Sequence, residues 1–321
     1  MPWIIGIDEA GYGPNLGPFV MTSVACRVPH DLAAADLWQV LRPAVRRHTE
    51  PADGRLLVED SKLVYSSARG LLDLETGVLA TAAPCRPGEA LPLAGYVDWV
   101  CPENHAELRA EPWYAGTTAL PVLAGPEGFG ACAERFAAAS QERGLTWGLV
   151  RSVVVCPARF NALLDRWDSK GAVLSLCLAD LLRHNQAPDE GDEPVAFYID
   201  KHGGRNAYAA MVQHAFTDGV VLAHEEGRER SVYRVAGARR PVELTFQPRA
   251  DAEHFCVALA SMVSKYLREL FMAEFNRFWQ GHVPGLKATA GYPGDAARFL
   301  EAIRPAAQKL NIPEAAIWRQ K

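Results

Sequence analysis

The chain has 321 residues, 49% of them hydrophobic and 22% charged, which excludes a disordered or fibrous protein, and its net charge of −5 argues against one that coats nucleic acid non-specifically. Its seven cysteines are odd in number and form no C-x-x-C pair, which argues against a disulfide framework or a structural zinc site. No apolar run approaches the roughly 18 residues of a membrane span, and no basic-then-apolar leader opens the sequence, so a cytoplasmic location without membrane association is expected.

Residues 3–8 and 18–27 are apolar and β-branched runs separated by a glycine-proline turn, and they read as a strand hairpin. From 67 to 146 prolines and glycines break the periodicity, which predicts an inserted subregion with a strand near 96–100 and a helix near 131–143. Trp99, Trp113 and Trp147 lie in or beside it and read as packing anchors. The expected organisation is therefore a first part over 1–66, the insertion over 67–146, and a second part over 147–321 ending in helices.

The pattern is regular again after residue 148: a strand over 150–156, helices from 157 and over 172–183, then a polar, acidic loop over 184–193. A strand over 194–200 ends in acid, and a helix over 205–216 leads to short strands at 219–224, 231–235 and 242–247. Arg228, Arg230, Arg234, Arg239 and Arg240 concentrate positive charge there, either as a basic surface or as a solvated hairpin face. The longest helix is expected over 251–279, with a buried stripe through Phe255, Leu259, Met262, Tyr266 and Leu270 and with Asp251 as its cap.

Two strands distant in sequence end in acid, Ile7-Asp8-Glu9 and Ile199-Asp200, and as parallel neighbours they would deliver those acids to one rim of an α/β sheet. Asp251 would join them. Carboxylates gathered without compensating bases repel one another, so the cluster implies divalent cations, and two such ions suit an in-line phosphoryl displacement. Gly11 and Gly13, directly after the first pair, let a backbone approach a phosphodiester. Taken singly, Asp251 also fits a helix cap, Asp200 a turn, and Asp60-Ser61-Lys62 the start of a helix.

In order along the chain, the segment Asp8-Glu9-Ala10-Gly11-Tyr12-Gly13-Pro14, Asp60-Ser61-Lys62, Ile199-Asp200, Asp251 with 257–265, and Gly291-Tyr292-Pro293 resemble the motifs of ribonuclease HII, the type 2 ribonucleases H. The resemblance covers roughly 1–66 and 147–300. It implies a ribonuclease H-like mixed β-sheet flanked by helices, and metal-dependent cleavage of RNA in an RNA/DNA hybrid or of ribonucleotides in duplex DNA, leaving a 3′-hydroxyl and a 5′-phosphate. By the same resemblance Asp8, Glu9, Asp200 and Asp251 would hold Mg²⁺ or Mn²⁺. Gly11, Tyr12, Gly13 and Tyr292 would then read the substrate, and Ser61, Lys62 and Lys265 would contact phosphate.

Three departures from that pattern stand out. Tyr12 takes the place of a basic residue, the histidine expected after Gly291-Tyr292-Pro293 is missing although Arg298 lies nearby, and the insertion lengthens the chain. These keep two alternatives open: a nucleic-acid binder of the same fold with altered or lost cleavage, and a kinase- or chaperone-type ATP-binding protein. His254, one helical turn from Asp251, reads as a capping or packing residue, and the second Asp168-Ser169-Lys170 triplet as a loop between helices.

Overall fold

The structure is a computed structural model that describes residues 1–66, 68–85, 92–103, 105–186 and 191–320. Strand β1 (Trp3–Ala10) lies at the centre because its apolar residues can be covered on both faces: Trp3, Ile5 and Ile7 enter one core and Ile4 the other, following the two-residue period of a strand. It pairs antiparallel with β2 (Phe19–Arg27), so the expected hairpin is present. A small parallel pair, β3 (Val45–Arg46) and β4 (Leu56–Leu57), follows the short helix α1 (Leu37–Val40).

The connection to the next long strand carries α2 (Ser61–Val64), α3 (Leu72–Ala82), α4 (Leu93–Val100), α5 (His105–Ala110) and α6 (Pro126–Glu142). Where the sequence predicts a strand over 96–100 the chain is helical. Leu93, Tyr96, Val97 and Val100 are buried at the spacing of one helix face, and in so short an apolar run that spacing is hard to tell from a strand. Residues of the connection share one apolar cluster with the first 66 residues: Leu74, Val78, Tyr96 and Phe136 sit in the same core as Val20, Val64 and Leu259. Trp113 packs edge-on against Phe275, with ring centroids 5.1 Å apart, and Trp147 donates its indole N–H to Ser140.

Strand β5 (Thr146–Val155) pairs with β2, and α7 (Pro157–Trp167) and α8 (Lys170–His184) follow. Of the acidic loop expected over 184–193, residues 187–190 lie outside the described residues. Strand β6 (Val195–Asp200) then runs parallel to β1, and α9 (Ala209–Ala215) is shorter than the helix the sequence suggests. Strands β7 (Val220–Glu226), β8 (Ser231–Ala236) and β9 (Val242–Gln247) complete a mixed sheet of seven strands in the order β5-β2-β1-β6-β9-β8-β7.

The long helix begins differently from expectation. It is divided into α10 (Ala250–Glu253) and α11 (Phe255–His282) by extended backbone at His254. Asp251 is not the cap: Arg249, in the left-handed conformation, precedes the first turn, and Asp251 lies inside it. Helix α11 covers β1 and β2 on one face of the sheet, while α7, α8 and α9 cover the other. Helices α12 (Pro293–Lys309) and α13 (Glu314–Ile317) follow. Among the described residues no helix is long and apolar enough to cross a membrane.

Candidate active site

Register fixes the first part of the site. Ile7 pairs with Ile199 across the parallel β1–β6 ladder, so Asp8 and Asp200 leave adjacent strands at the same end of the sheet. Asp200 in turn lies opposite Gln247 of β9, whose end leads into α10. The Asp200 carboxylate accepts the Ala250 N–H at 2.9 Å, which ties the start of α10, and with it Asp251, to the same rim.

Burial and proximity make this a costly place for charge. Asp8 and Asp251 are buried. Burial first, then the neighbouring Glu9, Asp200 and Asp251, hold the Asp8 carboxyl well above the usual carboxylate range. Burial followed by Asp200 pushes Glu9 up to about 7, and burial followed by Asp60 and Asp200 pushes Asp251 up to about 7. Asp200 is raised as well, chiefly by burial. The structure thus brings Asp8, Glu9, Asp200 and Asp251 within electrostatic reach of one another: Glu9, Asp200 and Asp251 each raise Asp8, and Asp200 and Asp251 also raise Glu9.

The donor set fits a hard divalent cation. All four groups present carboxylate oxygens, and Glu9 Oε2 is buried with no hydrogen-bond partner. Among the described residues no three Asp, Glu, His or Cys side chains close on one point as a preformed cage, so the four acids are neighbours on one rim without a ready-made ion cradle. Lys62 is an electrostatic neighbour of the acids: burial pulls its ammonium down, but Asp60, Asp8, Asp251 and Asp200 outweigh that and raise it. Ser61 is buried at the start of α2, its hydroxyl 3.0 Å from that of Ser261.

Two further groups lie beside the acids without being named as site residues from the sequence. Asp60 caps α2 by accepting the Lys62 N–H at 2.9 Å, and its charge also reaches Asp200 and Asp251. In the sequence, Asp60-Ser61-Lys62 reads both as a helix start and as a family-like motif, with roles at the site only for Ser61 and Lys62. The His202 side chain is buried with Nε2 3.8 Å from Glu9 Oε2, and burial followed by Arg205 lowers it to about 4, so the ring is neutral at pH 7. Within Lys201-His202-Gly203-Gly204 it reads as part of a turn.

The residues expected to meet substrate fall into two groups. Gly11 sits in the left-handed region at φ 89°, against the Pro18 carbonyl and the Arg268 side chain, whereas Gly13 faces open space. Tyr12 is 40% exposed, its ring 5.6 Å from the Lys170 ammonium, and Tyr292 is 50% exposed with the Arg268 guanidinium 5.7 Å from its ring. Lys265 is engaged with other partners: its ammonium pairs with Glu269 at 2.6 Å and lies 4.6 Å from the Tyr65 ring.

Other candidates are committed elsewhere. Arg298 pairs with Asp295 at 2.6 Å. His254 stacks on Tyr198, with ring centroids 3.9 Å apart. In the basic stretch, Arg230 pairs with Glu225 and Arg234 with Glu243, each at 2.8 Å, which makes it a charge-paired sheet face.

Neither a protein-family model nor a curated protein matches the sequence. Among solved structures, the chain is similar to ribonuclease HII of Archaeoglobus fulgidus in its complex with PCNA, at 12% identity and a TM-score of 0.44, over 99% of this chain and 94% of that one. It is similar to ribonuclease H2 of Pyrococcus horikoshii OT3, at 12% identity and a TM-score of 0.44, over 98% and 92%. It is also similar to Bst-RNase HIII in complex with Mn²⁺, at 15% identity and a TM-score of 0.42, over 99% and 65%. Nearly the whole chain is covered by these likenesses to ribonucleases HII and HIII.

Proposed function

We propose that this chain is a divalent-metal-dependent endonuclease that hydrolyses the RNA strand of an RNA/DNA hybrid, or ribonucleotides within duplex DNA, to a 3′-hydroxyl and a 5′-phosphate. The observation that supports the reading is the electrostatic neighbourhood of Asp8, Glu9, Asp200 and Asp251 at one strand-end rim, with a buried orphan oxygen on Glu9 and an open glycine turn beside them. These four acids would hold Mg²⁺ or Mn²⁺, which when bound stabilises the attacking and leaving oxygens of an in-line displacement.

The remaining groups bind and orient. Gly13, with no atom near the position of a Cβ, leaves room for a phosphodiester backbone, and Lys62 offers an ammonium to a phosphate oxygen at the edge of the acids. The phenols of Tyr12 and Tyr292 are exposed and would meet a sugar edge, where the 2′-hydroxyl distinguishes RNA from DNA. The test is cleavage of duplexes carrying one, four or all ribonucleotides in one strand, with Mg²⁺ and Mn²⁺ compared. Cleavage 5′ of a single embedded ribonucleotide marks a junction enzyme, cleavage only of longer tracts marks a general hybrid nuclease, and cleavage of none with either ion refutes the reading.

Tyr12 favours a second reading, a binder of the same fold that does not cut, because a charged donor expected beside the scissile phosphate is replaced by a phenol. Tight hybrid binding with no product under either ion would select it.

A further inference from the structure

Two buried arginines lie beneath the turn that carries Gly11, Tyr12 and Gly13. Arg268 of α11 and Arg319 beyond α13 are each 1% exposed. Arg268 donates from Nη2 to the Ala290 carbonyl at 2.8 Å and reaches the Leu16 carbonyl at 3.5 Å, and its side chain presses against Gly11. Arg319 donates from Nη2 to the Pro14 carbonyl.

The backbone around Arg319 is bound to the same turn. Its N–H donates to the Asn15 carbonyl at 2.8 Å, Asn15 Nδ2 returns a bond to the Arg319 carbonyl at 3.2 Å, and Trp318 bridges Leu16. Asn161 on α7 anchors this segment through the Ala315 and Trp318 carbonyls at 3.0 and 2.8 Å.

This arrangement is expensive. Glu269 is 3.5 Å from Arg268 but already engages Lys265 and Tyr65, and Arg319 has no ion-pair partner among the described residues. Nε and Nη1 of both arginines lack hydrogen-bond partners. Burial, then the nearby Arg268, lowers the Arg319 guanidinium to about 9. Apolar side chains of similar volume would fill such a place at less cost. What they would not supply is donors for the carbonyls of Pro14, Leu16 and Ala290, which belong to the two segments that present Tyr12 and Tyr292.

We propose that Arg268 and Arg319 form a buried clasp that positions the 11–17 turn and the 290–292 segment for the nucleic-acid backbone, so that residues 314–320 belong to the substrate-reading surface. The identity of the ligand rests on the nuclease reading above; the clasp itself does not. Both arginines are positioning residues: they shape the surface while the acids hold the ion.

The test uses Arg319→Gln and Arg319→Lys in the full chain. In Arg319→Gln, amide exchange at Gly13 and at residues 15–17 should accelerate about tenfold or more, Mn²⁺ affinity should stay within about twofold, and KM for the hybrid should rise about tenfold with kcat nearly unchanged. Arg319→Lys should recover part of the loss, because it keeps a donor and a charge. Asn15→Ala, which removes a different contact of the same clasp, should reproduce the pattern if Arg319→Gln does not fold. Unchanged exchange at Gly13 and at residues 15–17, or a fall in Mn²⁺ affinity and kcat with KM constant, would overturn the proposal. Should the wild type cut no hybrid, the nuclease reading fails, while the exchange and Mn²⁺ measurements still decide the clasp.

Discussion

Ile7 and Ile199 face each other across the parallel β1–β6 ladder, and this register brings Asp8 and Asp200 to neighbouring positions at one end of the sheet, close enough for the Asp200 charge to raise the Asp8 carboxyl. Had the ladder slipped by one residue, every side chain of β1 would have changed faces and the pair would be lost.

The first prediction follows from that adjacency. Asp8→Asn and Asp200→Asn each remove one carboxylate, and in Asp200→Asn the amide oxygen can still accept the Ala250 N–H. Hybrid cleavage should fall by about a thousandfold or more, as expected when metal-borne charge stabilisation is lost. The melting temperature in EDTA should hold or rise by a few degrees, because a repelling charge has gone. A variant that cuts at the wild-type rate would refute the assignment.

The raised carboxyls also link stability to pH. Glu9 and Asp251 are pushed up to about 7 in the folded state, from ordinary values of 4.5 and 3.8. Between those limits the native protein binds more protons than the unfolded chain, so the slope of unfolding free energy with pH is negative. The stabilisation is fully present below the unfolded values and is lost as pH rises through about 7. In EDTA the melting temperature should therefore drop between pH 5 and pH 8, and Glu9→Gln should flatten the drop. Mg²⁺ should stabilise more at pH 8 than at pH 5, since ions and protons compete for the same oxygens. An Mg²⁺ effect of equal size at both pH values would contradict the linkage.

How much of this was visible in the sequence depends on the range of the interaction that decides each feature. The β1–turn–β2 hairpin and the acid at the end of β6 were legible, because an apolar run, a glycine turn and a terminal Asp are local signals. The helix at Leu93–Val100 was misread because eight residues hold barely two helical turns. The break at His254 was hidden for another reason. Arg249 takes a left-handed φ of 56° without being glycine, and the N–H that follows bonds to Asp200, a partner fifty residues away. For the same reason, the sequence does not pair Arg319 with Pro14: that contact exists only once α13 has docked.

Glu75 offers a test of how firmly the 67–146 region is joined to the rest. Its buried carboxylate accepts the backbone N–H groups of Val122, Leu123 and Ala124 at 2.6–2.7 Å and the Tyr266 hydroxyl at 2.8 Å. One side chain on α3 thus fixes a loop of the region and the middle of α11. Glu75→Ala leaves these donors unsatisfied and should cost about 3–5 kcal/mol in a denaturant titration. Glu75→Gln, which keeps one acceptor, should cost less. Equal stability of Glu75→Ala and wild type would show that the region is held by its apolar contacts alone.

Gly11 and Gly13 separate a structural glycine from one that provides access. At Gly11 an added Cβ would lie 2.7 Å from the Pro18 carbonyl oxygen and 2.8 Å from Arg268, and the φ of 89° is unfavourable for any L side chain. Gly11→Ala should therefore lower stability by about 2–4 kcal/mol, since strain and overpacking add. At Gly13 nothing lies within 4 Å of the added atom, and φ is outside the left-handed range, so Gly13→Ala should melt close to the wild type. Its cost appears only when a phosphodiester must approach the turn, as a several-fold rise in KM for the hybrid. Thermal melts and steady-state kinetics on the two variants distinguish these roles. A Gly13→Ala enzyme with normal stability and normal KM would place the nucleic-acid backbone away from this turn.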